Sequence, residues 1–149
     1  MSNQSLINFL NQELSNIAVM YIKLHRYHWF IKGKHFFTLH TFFEELYTEM
    51  AEDLDVLAER ILAIGGKPLA TMAKFLDEAS LAEAQADDEE KEIFSVLIED
   101  YTQMIKEMKE TGFGLAEEAN DQPTIDLFND LQGRYEKHLW MFRAYLAKE

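Results

Sequence analysis

The sequence predicts an all-α protein, a four-helix bundle with one long crossover that carries a short helix. Apolar residues recur at alternating spacings of four and three through four long stretches. No stretch of useful length shows the period-two alternation of a strand. Two prolines and six glycines in 149 residues leave room for long helices, and 48% apolar content supplies a sizeable core for one domain spanning 1–149.

The first predicted helix runs from about Ser5 to Ile31, with Leu10, Leu14, Ile17, Tyr21, Leu24, His28 and Ile31 on one stripe. His28 occupies a slot in that stripe, whereas His25 falls off its line. Gly33, in Lys32-Gly33-Lys34, is the expected stop. The second helix runs from about Leu39 to Ile64, with Thr38 as the expected N-cap. Leu39, Phe43, Leu46, Met50, Leu54, Leu57, Ile61 and Ile64 form its core line, and Gly65-Gly66-Lys67-Pro68 ends it. Residues 69–88 form the crossover, with a short helix expected around Met72 to Glu83. The third helix runs from about Asp88 to Glu118, with Phe94, Ile98, Tyr101, Ile105 and Met108 on one stripe. Gly112 and Gly114 are expected to bend its last third. Pro123 suits the first turn of the fourth helix, which carries Phe128, Leu131, Tyr135, Leu139 and Phe142. Two short links and one long crossover are the ferritin-like arrangement of a four-helix bundle.

Composition excludes several functions. The chain has no cysteine, so disulfide, thiolate-zinc and thiol-redox chemistry are ruled out. Twenty-seven acidic residues against 14 basic ones give a net charge of −13, which favours solubility and cations and disfavours nucleic acid. Residues 1–20 lack the basic and apolar regions of a signal peptide. No apolar run approaches the ~20 residues that span a membrane. The expected location is the cytoplasm.

The second helix also carries the most informative chemistry. Positions 40, 44, 47, 51, 55 and 59 advance by four and three, so His40, Glu44, Asp55 and Glu59 share a face. That face is rotated about 100° from the core line. With His28 from the preceding helix, the set offers imidazoles and carboxylates, donors suited to a divalent metal such as iron. His40 and Asp55 lie about 22 Å apart along a helix, so one helix cannot bring both to one ion. Either another part of the chain completes each half, or a second copy of the helix does so across a two-fold axis. Glu-x-x-His, the ligand motif of di-iron sites inside one bundle, is absent, which leaves the site between subunits.

Simpler roles compete for each residue. His28 alone would be a core histidine, but the short link holds His40 near it. Glu44, Asp55 and Glu59 share their helix with Glu45, Glu49, Glu52 and Asp53, and an acidic helix face is commonly just solvated. His25, His35 and His138 lack acidic partners at helical spacing and read as surface or structural. Asp121, Asp126 and Asp130 suit the start of a helix as well as a cation path.

His28-Trp29, Gly33, Phe36, Leu39-His40, Phe43-Glu44-Glu45-Leu46-Tyr47, Asp55 and Ala58-Glu59-Arg60 together resemble the Dps family of mini-ferritins, and Lys137-His138-Leu139-Trp140-Met141 resembles its closing helix. The resemblance implies a hollow homododecameric shell that oxidises Fe(II), commonly with hydrogen peroxide, and stores ferric mineral: an iron-storage and detoxification protein with ferroxidase activity. It also implies that His28 and His40 of one subunit, with Asp55 and Glu59 of its two-fold mate, hold the iron. Glu44 stands where the family often has Asp. Trp29 matches a tryptophan assigned to radical interception, and Asp121, Asp126 and Asp130 resemble the acidic lining of three-fold pores. Family members that bind DNA use lysine-rich tails to neutralise phosphate. Here the first basic residue is Lys23, so direct DNA binding is not expected. A DNA-compacting protein with secondary iron chemistry, and a shell without an active metal site, are the alternative readings.

Overall fold

The computed structural model of the chain describes residues 2–85 and 88–148. Its elements are α1 (Ser2–Phe30), α2 (Phe36–Ala63), α3 (Met72–Glu78), α4 (Glu90–Glu107), a π-helical turn (Met108–Gly112), α5 (Phe113–Glu118) and α6 (Gln122–Leu146). α1 packs along α2, and α4 along α6. The pairs share one cluster of buried apolar side chains, centred on Leu10, Leu14, Phe43, Phe94, Tyr135 and Phe142. This is the ferritin-like four-helix bundle, with α3 in the crossover. The line from Leu10 to Ile31 is buried except for Tyr21, which is half-buried. On α4 the buried line is Ile93, Phe94, Leu97, Tyr101, Met104 and Ile105, and Ile98 sits at its half-buried edge.

The α2 start and the α3 end differ from expectation, each for a local reason. α2 begins two residues before Thr38, and its N-cap is His35, which makes no capping hydrogen bond. Phe36 secures this turn instead: its N–H donates to the Gly33 carbonyl at 3.1 Å, and its ring stacks on His40 at 4.9 Å. Gly33 has φ +110°, a left-handed value that reverses the chain between α1 and α2. α3 stops at Glu78 rather than Glu83 because the next amides turn to a side chain. The N–H groups of Ser80 and Leu81 donate to Asn16 Oδ1 at 2.8 and 3.1 Å. The expected bend near Gly112 takes the form of the π-helical turn, in which a ladder of i→i+5 bonds accommodates an extra residue. A Cβ on Gly112 would meet the Phe9 ring at 2.7 Å, so glycine is needed there for close packing; Gly114 has open space.

Polar side chains of α1 fasten the crossover along its length. Asn11 bonds the Lys67 carbonyl and the Leu69 N–H, and Asn16 holds Ser80 and Leu81. Lys23, buried, donates to the Ala82 carbonyl at 2.6 Å and to Asp100 at 2.8 Å. Arg26 grips Asp88 with two nitrogens at 2.9 and 3.0 Å. Each bond satisfies a group that would otherwise be unpaired at a loop or in the interior.

One buried group has a consequence for stability. Glu13 is 4% exposed, with its Oε2 buried and unbonded, and it lies near Glu107, itself the acceptor of bonds from Asn16, Ser80 and Gln103. Burial, followed by the neighbouring Glu107, raises the Glu13 pKa well above the usual carboxylate range. A raised folded-state pKa stabilises below the unfolded value and loses that contribution as pH rises through the folded value. Glu13→Gln should therefore be more stable than the parent on the alkaline side. The difference should fade as pH drops into the carboxylate range. Parallel pH profiles of denaturant midpoints for the two chains would not be compatible with a protonated Glu13.

Candidate metal centre

The centre starts at the reversal between α1 and α2. α1 ends at Phe30, so the carbonyls of its last turn have no intrahelical donor. Tyr27 recovers one from Ile31 N–H. The His28 carbonyl recovers one from a side chain: His40 Nδ1 lies 2.7 Å from it. The bond is returned, with His28 Nδ1 lying 2.5 Å from the His40 carbonyl. A carbonyl only accepts, so both Nδ1 atoms carry protons and donate. Both Nε2 atoms are thus left with a free lone pair, the form in which imidazole binds metals.

Aromatic packing holds the two rings in place. They stack with centroids 3.7 Å apart and planes within 11°. Phe36 covers the His40 ring from one side, and the Tyr47 ring meets His28 edge-on at 5.3 Å. His28 is buried, while His40 is half-buried and reachable. Glu44, one turn beyond His40, places Oε1 3.9 Å from His28 Nε2. The structure therefore brings His28, His40 and Glu44 together.

Asp55 and Glu59 lie elsewhere. α2 is one unbroken helix from Phe36 to Ala63, so its rise sets Asp55 about 22 Å from His40. Both carboxylates are exposed and bond no other described residue. Among the described residues, no three histidine, cysteine or carboxylate side chains of one chain lie close enough to hold a metal.

The other acidic residues of α2 are not all solvated. Asp53 is 5% exposed and is held by Arg134 at 2.8 Å and by the Tyr135 hydroxyl at 2.9 Å. Glu49 binds His138 Nε2 at 2.9 Å and Arg134 at 3.2 Å. His138 does have an acidic partner, on α2 rather than at helical spacing within α6. Only the basic and aromatic residues of α6 hinted at this pairing in the sequence. His25 stacks on Tyr47 at 3.6 Å and bonds the Tyr21 carbonyl at 2.8 Å. Trp29 is 63% exposed, with its ring 5.3 Å from that of His25.

Of the three aspartates near α6, Asp121 is its buried N-cap. It accepts the Thr124 N–H at 3.1 Å and binds Arg60 at 2.8 Å. Asp126 is exposed and accepts from Gln122 at 2.9 Å. Asp130, also exposed, pairs with Arg134 at 2.9 Å. No helix among the described residues is long and apolar enough to cross a membrane.

Comparison with known proteins gives a consistent result. A ferritin family model, that of the ferritin-like domain, matches residues 7–149. The chain is 45% identical over 145 residues to General stress protein 20U of Bacillus subtilis (strain 168), covering 97% of this chain and 99% of that one. It is 44% identical over 144 residues to DNA protection during starvation protein 2 of Bacillus anthracis, covering 97% and 98% of the two. The crystal structure of a Dps protein from Bacillus brevis matches with a TM-score of 0.95 and 42% identity, over 98% of this chain and 97% of that one.

Proposed function

We propose that this chain, which belongs to the Dps family of ferritin-like proteins, oxidises Fe(II) with hydrogen peroxide between two-fold-related subunits and stores the ferric product. The assembly in this reading is a hollow homododecamer in the cytoplasm. The observation that carries it is the reciprocal His28/His40 pair, with two free Nε2 lone pairs, that of His28 beside Glu44, and no further ligand among the described residues. Asp55 and Glu59, exposed and unpaired among the described residues, are the ligands that a two-fold mate would supply. A groove lined by Ile22, Trp29, Phe30, Met72, Phe75 and Leu76 gives such a mate apolar surface to cover.

The chemistry follows from the donor set. Nitrogen and carboxylate oxygen fit iron, and anionic oxygen favours the ferric product, which eases electron loss. Two Fe(II) ions give one electron each to hydrogen peroxide, which takes two protons from solvent as its O–O bond breaks, giving two waters and no hydroxyl radical. The Nδ1–H donors do not ionise in this process; they orient the rings. Trp29 stands ready to intercept a stray radical. Asp126 and Asp130, with Asp121 behind them, would mark the route by which cations enter the shell. Direct binding of duplex DNA has no place in this reading, given the net charge of −13.

The deciding experiment is anaerobic Fe(II) titration of the assembled protein, followed by peroxide. Saturable binding at one or two Fe(II) per subunit is expected, then oxidation at about one peroxide per two irons with little spin-trapped hydroxyl radical. Absence of saturable Fe(II) binding, or one radical released per iron, would overturn the reading.

A further inference from the structure

Three side chains from distant parts of the chain converge at the end of the bundle where α2 and α4 begin and α6 finishes. His35 is the N-cap residue of α2, Glu90 opens α4, and Tyr145 lies in the last turn of α6. His35 Nδ1 lies 3.0 and 3.2 Å from the two carboxylate oxygens of Glu90. The Tyr145 hydroxyl oxygen lies 3.0 Å from the same nitrogen and touches Glu90 Oε1. One imidazole nitrogen, one phenol oxygen and a carboxylate thus surround a single point.

The spacings about His35 Nδ1, 3.0 Å to Tyr145 and 3.0 and 3.2 Å to Glu90, suit ligands of one metal ion. Bonds of about 2.0–2.2 Å, at angles between octahedral and tetrahedral, set neighbouring ligand atoms roughly 2.9–3.5 Å apart. Imidazole with carboxylate and phenol oxygen is a mixed nitrogen and oxygen set of first-row transition-metal type. The place is also reachable, since the His35 and Glu90 side chains are 46% and 29% exposed. Glu90 borders an open recess that also contains Glu89, Asp88 and Lys32. Arg26 neutralises Asp88, which leaves Glu89, Glu90 and Lys32 as the other charged side chains of the recess.

We propose that His35, Glu90 and Tyr145 form a second cation site, holding one divalent transition-metal ion such as zinc or ferrous iron, with water in the remaining positions. His35 binds through Nδ1 and keeps its proton on the exposed Nε2. Tyr145 contributes a lone pair of its phenol oxygen. The ion bridges the ends of three helices, so its binding energy stabilises the folded bundle by mass action. The site is distinct from the His28/His40 centre and does not depend on iron oxidation there.

Co(II) is the probe, because its visible spectrum reports nitrogen and oxygen coordination. The assembled full chain carrying His28→Ala and His40→Ala should still bind one Co(II) per chain in the presence of excess Mg(II). Zn(II) should displace it, and either ion should raise Tm. Adding Tyr145→Phe keeps the ring that packs 4.6 Å from Phe94 and should weaken binding about ten-fold or more. Adding His35→Ala should do the same and abolish the Tm shift. In the otherwise unsubstituted chain, either change should remove one Co(II) per chain. If Mg(II) abolishes Co(II) binding in the His28/His40 background, or if both added variants bind as tightly as that background, the trio is a hydrogen-bonded clasp and the proposal fails.

Discussion

Chains carrying His28→Ala and His40→Ala should lose peroxide-driven Fe(II) oxidation by on the order of 100-fold, since even outer partners of a metal ligand are worth ten- to a hundred-fold. Asp55→Ala with Glu59→Ala should cause a similar loss. The informative experiment combines them. Where two different variants meet across a two-fold axis, one of the two sites draws its histidines and carboxylates from intact sources, and the other draws neither. Random pairing makes half of all pairs mixed, so reassembly from equal amounts should restore about one quarter of the parental activity. Native mass spectrometry can confirm that the shells are mixed. Recovery near zero in such shells would place all the ligands within one subunit, contrary to the separation along α2.

The second large effect concerns stability. Arg134 reaches from α6 to Asp53 and Glu49 on α2. Burial pushes the Asp53 carboxyl up, and the bonds from Arg134 and Tyr135 only partly offset it. Arg134→Leu would leave that carboxylate buried without its cation, a change that should cost about 3–5 kcal/mol. The loss should be largest at neutral pH. Without Arg134 the folded-state pKa of Asp53 rises further, so the variant regains stability relative to the parent as pH falls and Asp53 takes a proton. Asp53→Leu in the same chain should recover much of the difference, because an apolar pair needs no counter-charge. A pH-independent gap between Arg134→Leu and the parent, measured by urea unfolding, would contradict this account of Asp53.

The helices and half of the candidate metal centre were legible in the sequence because both follow a short period. His28 declared itself by standing in an apolar slot, and His40 by following closely across the reversal. What periodicity cannot encode is a partner on another helix. Glu49 and Asp53 looked like members of a solvated face, yet Arg134 and His138 lie across from them. Asn11, Asn16, Lys23 and Arg26 appear unremarkable along α1, because the crossover groups they fasten are 56 to 65 residues away. The N-cap of α2 misled for a different reason. Thr38 has the right chemistry for a cap, but stacking of Phe36 on His40 starts the helix earlier. Asp121 shows the reverse: it satisfies the cap rule in full, with Thr124 and Arg60 both bound to it.

The paired imidazole bonds link residues only 12 apart in the chain. Contacts this close in sequence need little loop closure and form early and independently of distant structure. The two rings can therefore adopt their geometry in a nascent hairpin, before α4 and α6 arrive and before any second subunit docks. On the proposed two-fold reading, assembly would then join a finished half to the partner's carboxylates, and subunit encounter rather than folding would time iron capture.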